Sequence, residues 1–324
     1  YFPVNEISMP YIPVWKDTYV DLGAVDSAAF TLTLDSDLSV LYSGRAVRRP
    51  DEDNLTVRVN DIVADLLSRN LLTLQDPMTD YSAFLAGVTV AGNGVTQQLS
   101  FIADWSYDPT RTYGSAFILS DPINALLDGR QTFAVTGVFT SGQKVTFTKK
   151  NGTTTQASVG IIGEGTYTVD LSTVADLAAV SVGGKTWTVD GSCRTWVLHY
   201  VNAYGGWDSL LIRGGGKQVD SITRYEHRRS YDNALPIGRG RVNYLNDTTR
   251  RWELHSGWLT DDQSGRMTEL TESVLVYLED VTTGTMLPVV VADTETEVKT
   301  YANQGRRLVD YTITVELAAD RLRK

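Results

Sequence analysis

Short runs of this chain alternate apolar and polar residues one by one, and the runs reverse at turn dipeptides. Lys144–Lys150 reads KVTFTKK, Asn151-Gly152 follows, and TTTQASV continues to Val159. Successive side chains of a strand point to opposite faces, so this alternation specifies half-buried strands. Asn-Gly between two such runs specifies a hairpin, expected as a type I′ turn with positive φ at both central residues. Ala178–Val189 (AAVSVGGKTWTV) repeats the pattern around Gly183-Gly184, with Val180, Val182, Thr186 and Thr188 on its arms. Further strands are expected at Arg194–Val201, at Leu210–Ile212 after a Gly205-Gly206 turn, and at Val274–Glu279, Leu287–Val291 and Leu308–Leu317. In the last, Val309, Tyr311, Ile313, Val315 and Leu317 alternate with Asp310, Thr312, Thr314 and Glu316.

Helical spacing is scarce. Val59–Leu71 carries Ile62, Val63, Leu66, Leu67 and Asn70 on one face, with Asn60 as the expected N-cap. Asp121-Pro122 predicts a single short helix to Leu127, with Asp as cap and Pro at the first helical position. Arg266–Ser273 predicts a third, after a loop at Asp261–Gly265. Strands come in groups, without the strand–helix alternation of a parallel α/β fold. The expected fold is therefore mainly β: several β-sandwich or β-barrel modules with a few short helices. Three units are expected, an N-terminal β-rich domain over 1–103, a hairpin-rich middle domain over 104–192 and a sandwich-like C-terminal domain over 193–324.

Composition narrows the function classes. Among 324 residues, 42% are hydrophobic and 21% charged, which excludes a wholly disordered chain. The net charge of −10 argues against a general nucleic-acid binder, and a nucleic-acid partner is not expected. Cys193 is the single cysteine, so no intramolecular disulfide can form. No apolar run reaches the roughly 18–20 residues of a membrane helix, and no membrane partner is expected. The chain opens at Tyr1 with no signal-peptide pattern in view, so targeting is only partly legible.

Charge is unevenly placed. Residues 193–324 hold 17 Lys and Arg against 18 Asp and Glu, leaving 12 against 21 in residues 1–192. Within residues 213–251 nine bases, eight of them Arg, meet four acids, with Tyr225, Tyr231 and Tyr244 interleaved. Arginine forks pair with carboxylates and stack on aromatics, which suits a protein interface. The interface candidates are Arg213, Arg224, Arg228, Arg229, Arg239 and Arg241, with Trp207. Trp207 is expected to pack into the C-terminal core or a subunit contact. Asp51-Glu52-Asp53 offers one acidic counterpart.

Catalytic signatures are missing. Gly214-Gly215-Gly216-Lys217 is followed by Gln218 and lacks the phosphate-loop spacing, so it reads as a turn between strands. His199, His227 and His255 have no helical i, i+4 pairing, and a metal site would need them drawn from separate places. No cofactor, metal or catalytic residue is assigned, and the chain is read as not an enzyme. Asp104-Trp105-Ser106-Tyr107-Asp108 has the residue types of a sugar platform, with Trp105 and Tyr107 as the glycan-contact candidates.

Several phrases together carry a resemblance. They are Tyr42-Ser43-Gly44-Arg45-Ala46 with Pro50 and Val59-Asn60-Asp61-Ile62; Asp104 to Asp108; Leu119-Ser120-Asp121-Pro122-Ile123 with Asp128-Gly129-Arg130-Gln131; Tyr204-Gly205-Gly206-Trp207-Asp208-Ser209; and Val298-Lys299-Thr300-Tyr301 with Asn303-Gln304-Gly305-Arg306-Arg307. The set resembles proteins encoded in tail-gene regions of tailed phages and prophages of Bacteroides-type gut bacteria, over nearly the whole chain. The resemblance implies a virion structural protein of the tail or baseplate, similar to distal-tail or adaptor-ring subunits. Its partners would be copies of itself in a ring and other tail proteins. It would be made in the host cytoplasm and carried in the virion. No catalytic residue transfers with it. The alternative is a carbohydrate- or receptor-binding β-sandwich module, and a glycan-cleaving enzyme is a third reading.

Overall fold

The computed structural model describes residues 11–73, 84–114, 116–127, 133–191, 196–228, 241–293, 308–318 and 321–323. Of these, 57% lie in strands and 9% in helices, so the fold is mainly β and built from several sheets. The chain divides into two compact units, 1–192 with 201–208, and 193–200 with 209–324.

The first unit opens with β1 (Ile12–Pro13), β2 (Tyr19–Asp21), β3 (Ser27–Leu34), β4 (Val40–Val47) and β5 (Thr56–Arg58). Helix α1 (Asn60–Leu72), β6 (Leu85–Gly92) and β7 (Val95–Ile102) follow. A five-stranded sheet runs β1-β7-β6-β3-β4, and β2 pairs with β5. The pairing of β1 with β7 is parallel and the others in this sheet are antiparallel. Asn93 and Gly94 join β6 to β7 with φ +48° and +77°, the two positive values of a type I′ turn. This second Asn-Gly hairpin is written in the sequence and was not among the expected ones.

Ala86, Val88 and Val90 alternate into the core along β6, and α1 packs on that strand. The helix buries Asn60, Val63, Leu67 and Leu71, one face at helical spacing. Asn60 is not the cap. Val59 takes that position without a side-chain cap bond, and Asn60 is the first helical residue. Its buried amide oxygen instead accepts from Arg58 Nε at 3.1 Å.

The same unit continues with β8 (Phe117–Ile118), β9 (Leu126–Leu127), β10 (Phe133–Lys149), β11 (Thr154–Val169), β12 (Leu177–Val182) and β13 (Lys185–Asp190). They form a sheet in the order β11-β10-β12-β13-β9, with β8 on β10. Gly183 and Gly184 turn β12 into β13 with φ +54° and +86°, as the sequence predicts. At Asn151-Gly152 the hairpin is present but its turn differs. Only Gly152 has positive φ, and Asn151 Oδ1 accepts from the Thr153 N–H at 3.0 Å and its hydroxyl at 2.7 Å. The side-chain bond closes the turn without Asn151 entering the left-handed region.

The helix expected at Asp121–Leu127 does not form. Ile123, Asn124, Ala125, Leu126 and Leu127 are all buried in succession, which a single helical face cannot do, and Leu126–Leu127 pairs in parallel with Val189–Asp190. Burial on all sides overrides the Asp-Pro start signal. The core here gathers Phe133, Val135, Phe147, Leu171, Val180 and Trp187, with the Phe133 and Trp187 rings edge-on at 5.6 Å.

The remaining elements are β14 (Trp196–Val201), β15 (Trp207–Leu211), β16 (Gly215–Arg228), β17 (Arg241–His255), α2 (Asp261–Gly265), α3 (Met267–Thr271), β18 (Val276–Asp280), β19 (Thr285–Val291), β20 (Thr312–Leu317) and β21 (Arg321–Arg323). Their sheet runs β15-β14-β18-β19-β20-β17-β16, with β21 on β17. The period-two alternation near the C-terminus holds: Val309, Tyr311, Ile313 and Val315 are buried, and Asp310 and Thr312 are exposed. The expected loop Asp261–Gly265 is helix α2. Thr260 caps it, accepting from Gln263 N while the Gln263 side chain accepts from Thr260 N, a reciprocal capping box.

Residues 201–208 belong to the first unit's core. Gly205 sits at φ +84°, and a Cβ there would stand 2.7 Å from the Ala103 carbonyl oxygen. Only glycine lets the backbone pass that close in that conformation.

Candidate functional site

Strands β16 and β17 form the most exposed extended element among the described residues. They pair from Gly215 with His255 to Arg228 with Arg241, with one register shift between Tyr225 and Glu226, where Tyr244 is bulged out. Fourteen residues of β16, at roughly 3.3 Å each, span about 45 Å. Thirteen of the fourteen are exposed and Val219 is half-buried, so neither face of β16 is covered. Strand β16 also ends its sheet, its outer backbone edge unpaired among the described residues. On the other side, β17 is supported by β20 at Arg251–His255 and by β21 at Asn246–Thr248. From Leu245 outward the element is a two-stranded arm. A two-stranded ribbon is marginal in water without further packing.

The arm ties itself together across its strands. Arg250 donates to both oxygens of Asp220 at 2.8 and 2.9 Å, Arg241 faces Glu226 at 3.5 Å, and Lys217 faces Glu253 at 3.6 Å. Arg251 pairs with Glu316 of β20 at 2.5 Å. Much of the basic excess read from the sequence is therefore neutralised locally. Arg224 and Arg228 differ: both are exposed, and neither has an ion-pair partner among the described residues. Arg213 is half-buried at the foot of the arm, and Arg229 and Arg239 lie outside the described residues. Four apolar side chains stand out in water between these charges: Ile222, Tyr225, Val242 and Tyr244. The two tyrosine rings lie 6.3 Å apart. Exposed Tyr and Arg mixed with aliphatic residues is the composition of interface surface.

Trp207 lies elsewhere. It is 1% exposed and packs edge-on against Phe84 at 6.1 Å within the first unit, where the sequence pointed to the C-terminal core or a subunit contact. The reason is the course of residues 201–208, which join the first unit: Asn202 donates to Leu119 O at 3.1 Å, and Trp207 N donates to Thr136 Oγ1 at 3.3 Å.

The Asp104–Asp108 phrase opens a loop built on a buried hydrogen bond. Asp104 is fully buried, accepting from Ser106 N at 2.7 Å and from the Tyr113 hydroxyl at 2.8 Å. Burial pushes the Tyr113 hydroxyl well above the usual phenol range, and the Asp104 carboxylate adds to the push. Trp105 is half-buried, its backbone N–H donating to Ala203 O at 2.8 Å. Tyr107 is held at φ +54°, is 69% exposed, and lies 6.0 Å from the Trp15 ring. Arg111 stacks over Tyr204 at 3.7 Å. Trp15, remote in sequence, has no local signal that ties it to Tyr107.

The histidines are in different settings. His199 is buried with Nε2 at 2.7 Å from Glu279 Oε2, His227 is exposed on the arm, and His255 Nδ1 is 3.2 Å from the Thr312 hydroxyl. Among the described residues no group of three or more His, Cys, Asp or Glu could hold a metal ion. No helix among them is long and apolar enough to cross a membrane. Cys193 lies outside the described residues. No protein-family model and no curated protein matches the chain.

Proposed function

We propose that the chain is a non-enzymatic structural subunit of a phage tail or baseplate, acting by self-association and by contact with neighbouring tail proteins. The observation that carries the assembly part is the arm β16–β17. Its strand β16 is long, exposed along nearly its whole length and, among the described residues, unpaired at one edge, and the arm is dotted with exposed Tyr, Ile and Arg, a surface that is costly to leave in water. The tail part rests on the resemblance of the Tyr42, Asp104, Leu119, Tyr204 and Val298 phrases. Sedimentation across a concentration series, with electron microscopy of the heavy fraction, tests the reading. The expected result is a closed assembly of several copies. A single-chain mass at every concentration, together with turnover of a glycan, would overturn it.

A second reading has its own observation. Tyr107 presents its ring to solvent from a left-handed backbone beside Trp15, and exposed aromatic faces suit sugar rings. Binding on a glycan array that disappears in Tyr107→Ala would favour a carbohydrate-binding module.

A further inference from the structure

The arm needs a receiving surface, and this chain carries one. Besides the arm, exposed large apolar residues gather on one other strand and its turn: Leu38, Val40, Tyr42 and Val47, exposed by 75, 61, 44 and 70%. All four lie on or beside β4, which ends the five-stranded sheet and has β3 as its one partner in that sheet. Tyr42 lies over the face of its own sheet beside this edge. It stacks on Phe30 at 5.4 Å, and its ring lies so close over Gly44 that a Cβ there would meet it at 2.6 Å.

Charge gives the edge a direction. The β3–β4 turn carries Asp37, exposed and not ion-paired among the described residues, whereas Asp35 turns toward β6 and accepts from the Thr89 hydroxyl at 2.6 Å. Hydrogen bonds from the Ser39 hydroxyl and N–H hold the Asp37 carboxyl below the usual carboxylate range. The opposite end of β4 carries Arg45, followed by Arg48, paired with Asp26 at 2.6 Å, and Arg49, which faces Glu52 at 3.5 Å. On β16 Asp220 and Glu226 are taken up by Arg250 and Arg241 of β17, which leaves Arg224 and Arg228 toward the tip as its open charges. Antiparallel pairing brings Arg224 and Arg228 toward Asp37. Parallel pairing sets arginine against arginine.

Resting on the self-association reading above, we infer that the β16 edge of one copy adds antiparallel to the β4 edge of the next copy. Edge addition gains backbone hydrogen bonds along both strands, and Ile222 and Tyr225 of the arm meet Val40 and Tyr42. The two patches are different surfaces of one chain, so the contact is heterologous and propagates into a ring or a filament.

Cross-linking tests the contact. In a Cys193→Ser background, Ser43→Cys marks β4 and Thr223→Cys marks β16, both at exposed positions. A short bis-maleimide is expected to join the two variants when they are mixed, and to leave each variant alone uncross-linked. Charge exchange provides an independent measurement. Arg224→Glu with Arg228→Glu should weaken association about tenfold, and adding Asp37→Arg should recover part of it. Assemblies of normal mass that give no mixed cross-link, or that cross-link through Thr223→Cys alone, overturn this contact while leaving self-association standing. A single-chain mass at all concentrations removes both.

Discussion

Two residues show how burial sets what a side chain contributes. Trp207 fills the first unit's core against Phe84, so Trp207→Ala should lower unfolding stability by about 3–5 kcal/mol in urea denaturation. An unchanged midpoint would mean that the core refills the space. Tyr113 donates its hydroxyl to the buried Asp104 carboxylate, and its ionisation is pushed upward by burial. A group whose folded pKa is raised stabilises below its unfolded value and loses that contribution as pH climbs above it. Stability should therefore fall as pH rises beyond the ordinary phenol value of 10.0, and Tyr113→Phe should make that fall shallower. The same change removes the donor from a buried carboxylate, so stability at neutral pH should drop by roughly 1–3 kcal/mol. Asp104 was singled out in the sequence as one end of a sugar platform. Its partner Tyr113 was not, because a hydrogen bond closed by a loop has no periodicity to reveal it.

Elements were legible in proportion to how local their causes are. The Gly183-Gly184 hairpin, the 309–315 alternation and helix 60–71 follow from side-chain period and turn chemistry within a few residues. The errors are equally specific. Asp121-Pro122 has the start of a helix, yet five successive buried residues and a parallel partner at Val189–Asp190 hold it extended. Thr260 and Gln263 form a capping box that went unread because the stretch looked like a polar loop. Thr260→Ala removes one side of that box and should cost about 1 kcal/mol, read as a lower unfolding midpoint. Gln263→Ala, which spares the hydroxyl bond to Gln263 N, should cost less. The arm β16–β17 was visible as an arginine-rich stretch but not as a ribbon. Its alternation is weak because neither face of β16 is buried, so the usual signature of a strand is absent.

At the scale of the molecule, assembly through exposed charge predicts a dependence on salt. Arg224 and Arg228 are solvent-exposed, and the Debye length falls from roughly 30 Å at 0.01 M to 3 Å at 1 M salt. Sedimentation should show weaker association as sodium chloride rises. Insensitivity to salt would assign the contact to the apolar residues and backbone pairing alone. The amino-acid sequence by itself determined the class of fold, the position of the tight hairpins and helix α1, because these depend on neighbours two to four residues apart. The tertiary structure alone decided that residues 201–208 leave their neighbours to complete the first unit's core, that Trp15 lies beside Tyr107, and which arginines are neutralised. Those outcomes depend on groups tens of residues apart, such as Asp220 with Arg250 and Phe84 with Trp207, and only the closed fold brings such groups within bonding distance.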